Sequence, residues 1–252
     1  EMISWLPSTQ AIIFTLTNMP PHQPAPIRAV VFDMDGTLFD TEKIYFHVFR
    51  LALREQGHDL NENFYHRHLA GTTNDHIETH LQNEHGNDFD MTAYKESWQQ
   101  HLHSHIEEKG LPFMPEIPQL LDLLKDRQIP LAVASSGDLA EIEFFLTKSK
   151  IKDRFSVLAA GDEVFNSKPA PDIFKLAADR LQLPPASCLA IEDSNHGVRA
   201  AADAGMKVIM TPGPAGATEK SRQLAALPES LTDHVMHYLS GDSIVSQNDC
   251  HR

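Results

Sequence analysis

The sequence has little sulfur and little positive charge. Only two of its 252 residues are cysteine, Cys188 and Cys250, and nothing in their number or spacing suggests a disulfide framework or a zinc site. Both are expected to be reduced thiols in a cytoplasmic protein. Lys and Arg number 21 against 35 Asp and Glu, a formal net charge of −14. Nucleic acids and anionic membranes require a positive surface, so neither is expected as a partner. No run approaches the ~20 apolar residues that span a bilayer. The amino terminus holds one short apolar run, Ala11 to Leu16, without the basic start of a secretory signal. What is left is an ordinary globular composition. At 41% hydrophobic and 22% charged, the chain can bury a sizeable core, and its length allows one α/β domain with an insertion or two small domains.

Residues 1–27, ending in the Pro-rich PPHQPAP (Pro20 to Pro26), read as a tail and an extended linker. Residues 241–252 read as a second tail. Between them, short apolar runs alternate with helical spacing: AVVFDM, then IPQLLDLLKDRQ (117–128), PLAVASSG (130–137) and AEIEFFLTKSK (140–150). FSVLAAGD, PDIFKLAADRLQL, CLAIEDS, GVRAAADAGM and KVIMTPG continue the alternation. Such alternation implies βαβ units and a parallel sheet. Residues 28–47 and 113–240 are therefore expected to form an α/β core. Residues 48–112 lack the alternation and hold most of the fifteen histidines; they read as an all-helical insertion.

Ligands of parallel sheets bind outside the carboxyl ends of the strands. The unusual polar clusters fall at such ends. Asp33 and Asp35 close an apolar strand two residues apart, so both can converge on one small volume. Gly36 follows and permits a sharp turn. Glu192 and Asp193 end another strand in the same way. Carboxylates this close need a cation, or else one of them stays protonated; three or four from two strand ends make a hard oxygen site, and few such ligands beside a phosphate suit Mg²⁺. Opposite them stand Ser135, Ser136 and Lys168, whose hydroxyls and ammonium match the oxygens of a phosphoryl group. Taken alone, each has a plainer reading: a D-x-D-G turn, a serine capping the next helix, a solvated surface lysine.

Four segments together, DMDGT (33–37), AVASS (132–136), SKPAPDIF (167–174) and AIEDSNHGVRAA (190–201), resemble the four motifs of the haloacid dehalogenase superfamily, in its β-phosphoglucomutase-like branch of phosphatases and mutases. The resemblance covers roughly residues 28–225. It implies a Rossmann-like core with a helical cap inserted after the first motif. It also implies an aspartyl-phosphate mechanism, with Asp33 as nucleophile and Asp35 as general acid and then base. Mg²⁺ would be held by the side chains of Asp33 and Asp193 and the carbonyl of Asp35, with Glu192 assisting. Ser135 and Lys168 would bind the transferring phosphate, and Thr72 and Asn74 of the cap's GTTN would face the substrate. The dehalogenases lack an acid at the position of Asp35, so carbon–halogen cleavage is not expected.

The mutase pattern carries a cap histidine ten residues after the general acid and an arginine after the cap's Gly-x-x. Tyr45 and Asn74 stand there, which favours hydrolysis over a sugar phosphomutase. Lys95 is either a cap lysine over the site or a solvent-exposed helical residue, and the second reading is preferred. His101 and His105 share a helical face at metal-binding spacing, but a polar helix surface is the better reading. His196 is expected to start a helix. A non-catalytic use of the fold would predict damage to Asp33, Asp35, Lys168 or Asp193, and all four are intact. The expected ligand is a small phosphorylated metabolite, with the chain a monomer or weak homo-oligomer.

Overall fold

The structure, a computed structural model, describes residues 25–70, 74–86 and 88–240. The expected tails therefore lie almost wholly outside the described residues, as do Cys250 and Thr72. Five short strands form the sheet: β1 (Ala29–Phe32), β2 (Leu131–Ser135), β3 (Val157–Ala160), β4 (Cys188–Glu192) and β5 (Lys207–Met210). All pair in parallel, in the order β3-β2-β1-β4-β5. The chain runs outward from β1 to β3 and then crosses back to β4. The order thus reverses between β1 and β4, the crevice where such sheets bind ligands.

Side-chain alternation along the strands builds two cores. Val30, Phe32, Leu131, Val133, Leu189, Ile191 and Ile209 face one side and join the larger core. Ala29, Val31, Ala132, Ala134, Ala159, Cys188 and Ala190 face the other. The small side chains of this second face let α7 (Asp172–Leu181) and α8 (Asn195–Asp203) pack close, through Phe174, Ala177, Ala178, Val198, Ala200 and Ala201. Before α7 come α5 (Ile117–Asp126), carrying Leu120, Leu121 and Leu124, and α6 (Leu139–Lys148), carrying Ile142, Phe145 and Leu146. These cover the larger face with α10 (Leu231–Ser240); α9 (Glu219–Leu224) lies between β5 and α10.

Four helices lie between β1 and β2: α1 (Glu42–Glu55), α2 (Glu62–His68), α3 (Asn74–His85) and α4 (Met91–Lys109). Helix starts earlier than the expected residue 48. Ile44, Val48, Phe49, Ala52 and Leu53 of α1 form one buried face, and its 3.6-residue period begins before that boundary. The helical segment leaves and rejoins the core at adjacent points. Asp40 N–H donates to the Pro112 carbonyl at 2.9 Å, and Phe39 forms a bridge with Phe113. Among the described residues no helix is long and apolar enough to cross a membrane.

Glu116, at φ 65°, ties α5 to the last helix. Its carboxylate accepts the Leu231 and Thr232 N–H groups at 3.1 and 3.0 Å and the Ser230 hydroxyl at 3.1 Å. Two otherwise unpaired donors of the α10 amino terminus are satisfied this way. The Thr232 N–H and its neighbours hold the Glu116 pKa below the usual carboxylate range. Glu116→Ala is expected to cost about 1 kcal/mol and lower Tm by about 2–4 °C. A depressed folded pKa stabilises above the unfolded value and is lost as pH falls through the folded one. The gap in Tm between wild type and variant, followed by thermal melts, should be full at neutral pH and shrink on acidification below about 4.

Candidate active site

Four of the expected residues meet where β1 and β4 end. Asp33 follows β1, and its N–H donates to the Ile191 carbonyl at 2.9 Å, extending the β1–β4 pairing by one step. Lys168 reaches across from the β3–α7 connection. Its ammonium donates to Asp33 Oδ1 at 2.5 Å, Glu192 Oε1 at 2.7 Å and the Ala134 carbonyl at 3.1 Å. It also lies 5.1 Å from the ring centre of Phe174. Asp33, Glu192 and Lys168 are all buried. Burial alone would depress the lysine pKa, but Asp33 and Glu192 outweigh it and hold the ammonium charged. Lys168 is thus no solvated surface residue.

Glu192 is fully buried, and its second oxygen is equally committed. Oε2 accepts the N–H groups of Asp193 and Ser194 and the Ser194 hydroxyl, each at 3.0 Å. A glycine makes room for it: a Cβ on Gly197 would sit 1.7 Å from Glu192 Oε1. Gly36 plays the matching part on the other side. It holds φ 74°, and a Cβ there would lie 2.2 Å from Asp193 Oδ2.

Asp33, Glu192 and Asp193 each offer a carboxylate oxygen within 4.8 Å of the others. One ammonium does not offset three acids, two of them buried and Asp193 half-buried. Burial, relieved in part by Lys168 and aggravated by Glu192, pushes the Asp33 pKa up to about 7. Burial and the neighbouring Asp33 push Asp193 up to about 9. A cation bound among these oxygens removes the repulsion, and an all-oxygen donor set suits a hard divalent ion.

Asp35 faces the same cavity from the turn after β1. Burial raises its pKa, against hydrogen bonds from Thr41 and Tyr45. The Tyr45 phenol lies 2.9 Å from Asp35 Oδ1 and 3.2 Å from Glu141 Oε1. One phenolic proton cannot serve two carboxylates. A proton on Glu141, whose pKa burial and Asp35 push up to about 8, satisfies the arrangement. The sequence reading passed over Glu141, because an acid in the first turn of a helix is ordinary. Tyr45 it noticed only as a missing histidine.

Ser135 is buried and accepts the Gly137 N–H at 3.1 Å, leaving its own proton to donate. It does not cap the following helix; Asp138 does, accepting the Glu141 N–H at 2.7 Å. Ser136 is exposed and lines the cavity beside it. Asn74 opens α3, and its side chain lies outside the described residues. Lys95 pairs with Glu78 at 2.6 Å and does not line the cavity of Asp33 and Asp35. His101 pairs with Glu55 at 2.9 Å while His105 packs against His47, so these two histidines are used separately. His196, exposed, is the second residue of α8.

The chain matches the family model for haloacid dehalogenase-like hydrolases over residues 30–211. It is 34% identical to the protein CbbY of Rhodobacter capsulatus over 197 residues, 74% of this chain and 86% of the relative. It is 30% identical to a phosphorylated carbohydrates phosphatase of Thermotoga maritima, over 73% of this chain and 84% of that one. Among solved structures it is similar to CbbY from Rhodobacter sphaeroides, in complex with phosphate and, as a mutant, with xylulose-1,5-bisphosphate. For both the TM-score is 0.74 at 29% identity, covering 82% of this chain and 96% of the other. With its parallel sheet, helical insertion and strand-end acids, this chain belongs to the haloacid dehalogenase-like hydrolases.

Proposed function

We propose that the protein is a Mg²⁺-dependent phosphatase that hydrolyses a small phosphorylated metabolite through a phosphorylated Asp33. One observation carries this reading: Lys168, Asp33, Asp35, Asp193 and Ser135 all line one cavity of about 520 Å³. Asp33 and Asp193 would hold the ion with the carbonyl of Asp35, while Glu192, whose two oxygens are already taken, would act on it through its charge. Bound there, Mg²⁺ offsets the acidic charge and draws an anionic phosphate toward an anionic nucleophile.

Lys168 and Ser135 bind and orient the phosphoryl oxygens. Asp33 attacks phosphorus, forming one P–O bond as the bond to the ester oxygen breaks. Asp35 gives its proton to the departing alkoxide. It then takes a proton from the water that releases phosphate from Asp33. A raised pKa suits this double task, because the group must hold a proton before the first step. Tyr45 positions Asp35 by its hydrogen bond, and Glu141 positions Tyr45. Among the described residues no arginine lines the cavity, which supports hydrolysis over a mutase that must grip a second phosphate.

Phosphate release from a panel of phosphate monoesters tests the reading. Activity should require Mg²⁺ and vanish with EDTA, and Asp33→Asn should lose at least ~10³-fold in kcat while keeping the wild-type circular dichroism. Release that persists in EDTA, or in the variant, would refute it. Tyr45→Phe removes the hydrogen bond to Asp35 and keeps the ring. Its kcat should fall about tenfold with a smaller change in KM; a loss confined to KM would mean that Tyr45 serves binding instead.

A further inference from the structure

Resting on the phosphatase reading above, we propose that the helical side of the cavity selects a monophosphate whose alcohol is uncharged and carries a ring, and turns away bisphosphates. The wall opposite the strand ends is aromatic. Tyr45 stacks on Phe49 with ring centres 5.9 Å apart, and Trp98 stands edge-on to both, at 6.4 and 5.6 Å. All three line the cavity. Tyr45 also touches Asp35, so this wall begins where the leaving alcohol must sit. Flat apolar faces beside the general acid suit the face of a ring.

The charges on this side are of the wrong sign for a second phosphate. Glu42 and Glu62 line the cavity from α1 and α2. Glu42 Oε1 is buried and accepts no hydrogen bond. His66 lies between the two acids, 3.5 Å from Glu42 and 3.9 Å from Glu62, so it already has partners. Lys43 is exposed. A second phosphate would therefore meet carboxylates without the bidentate donors that usually bind it. Glu42 and an uncharged sugar or nucleoside hydroxyl, by contrast, are matched acceptor and donor.

Matched substrates decide the matter: glucose 6-phosphate against glucose 1,6-bisphosphate, and uridine 5′-monophosphate against glycerol 3-phosphate, each with Mg²⁺. Wild type should favour the monophosphate of the first pair by at least about tenfold in kcat/KM, and Glu62→Lys should narrow that ratio by a similar factor. Trp98→Ala should lower kcat/KM for uridine 5′-monophosphate about tenfold more than for glycerol 3-phosphate. A preference for the bisphosphate, or equal losses on both members of the second pair, would overturn the inference and leave the phosphatase reading standing. No release from any of these substrates, nor from p-nitrophenyl phosphate, would overturn both.

Discussion

The buried ammonium of Lys168 is the contact on which the rest of the site depends. It joins the carboxyl ends of β1, β2 and β4 through Asp33, the Ala134 carbonyl and Glu192. Its own residue comes from the β3–α7 connection, so four strands of the sheet are tied at one point. Such an arrangement is stable only when complete: removing one partner of a buried ion pair typically costs about 3–5 kcal/mol, because the other charge is left without water or a counter-ion. The surroundings are arranged to prevent that. Glu192 uses both carboxylate oxygens, and Gly197 leaves the volume that its side chain occupies.

The same contact leaves the site deliberately short of positive charge. Lys168 answers Asp33 and Glu192, while Asp193 and Asp35 remain as acids in a low-dielectric pocket. On the proposed reading a divalent ion would bring that balance close to neutral, and a chain with net charge −14 could then accept an anion beside it. The attraction is local, and the acidic surface contributes nothing to it.

The helical insertion acts on this centre through α1. That helix starts right after the turn that carries Asp35, and its first turns bring Tyr45 back onto the carboxylate. The insertion leaves and rejoins the core at Asp40 and Pro112, which are hydrogen-bonded to each other. On the proposed function, helices α1, α2 and α4 would present side chains to the leaving alcohol while the strand ends hold the phosphate, dividing chemistry from selection across one cavity.

Much of this was legible in the residues. The alternation of apolar runs and helical spacing specified a parallel sheet, because a period of two and a period of 3.6 leave different marks on a chain. The acids at strand ends were conspicuous, since nothing in a strand core explains Asp33, Asp35, Glu192 or Asp193. What no local pattern carries is contact between distant segments. Glu141 lies 96 positions from Tyr45, and Lys168 lies 135 from Asp33. Glu141 resembles any acid in a helical first turn, and Glu116 any acid in a loop. Residue 48, read as the start of the insertion, falls inside α1, whose apolar period overlaps the turn before it. The sequence by itself determined the fold class and the residue types of the site, which follow from local periodicity and from polar groups with no local explanation. Only the tertiary structure decided that Glu192 anchors Lys168, that Tyr45 bridges Asp35 and Glu141, and that an aromatic wall faces the strand ends. Those are facts of long-range packing, set by which side chains share a buried volume.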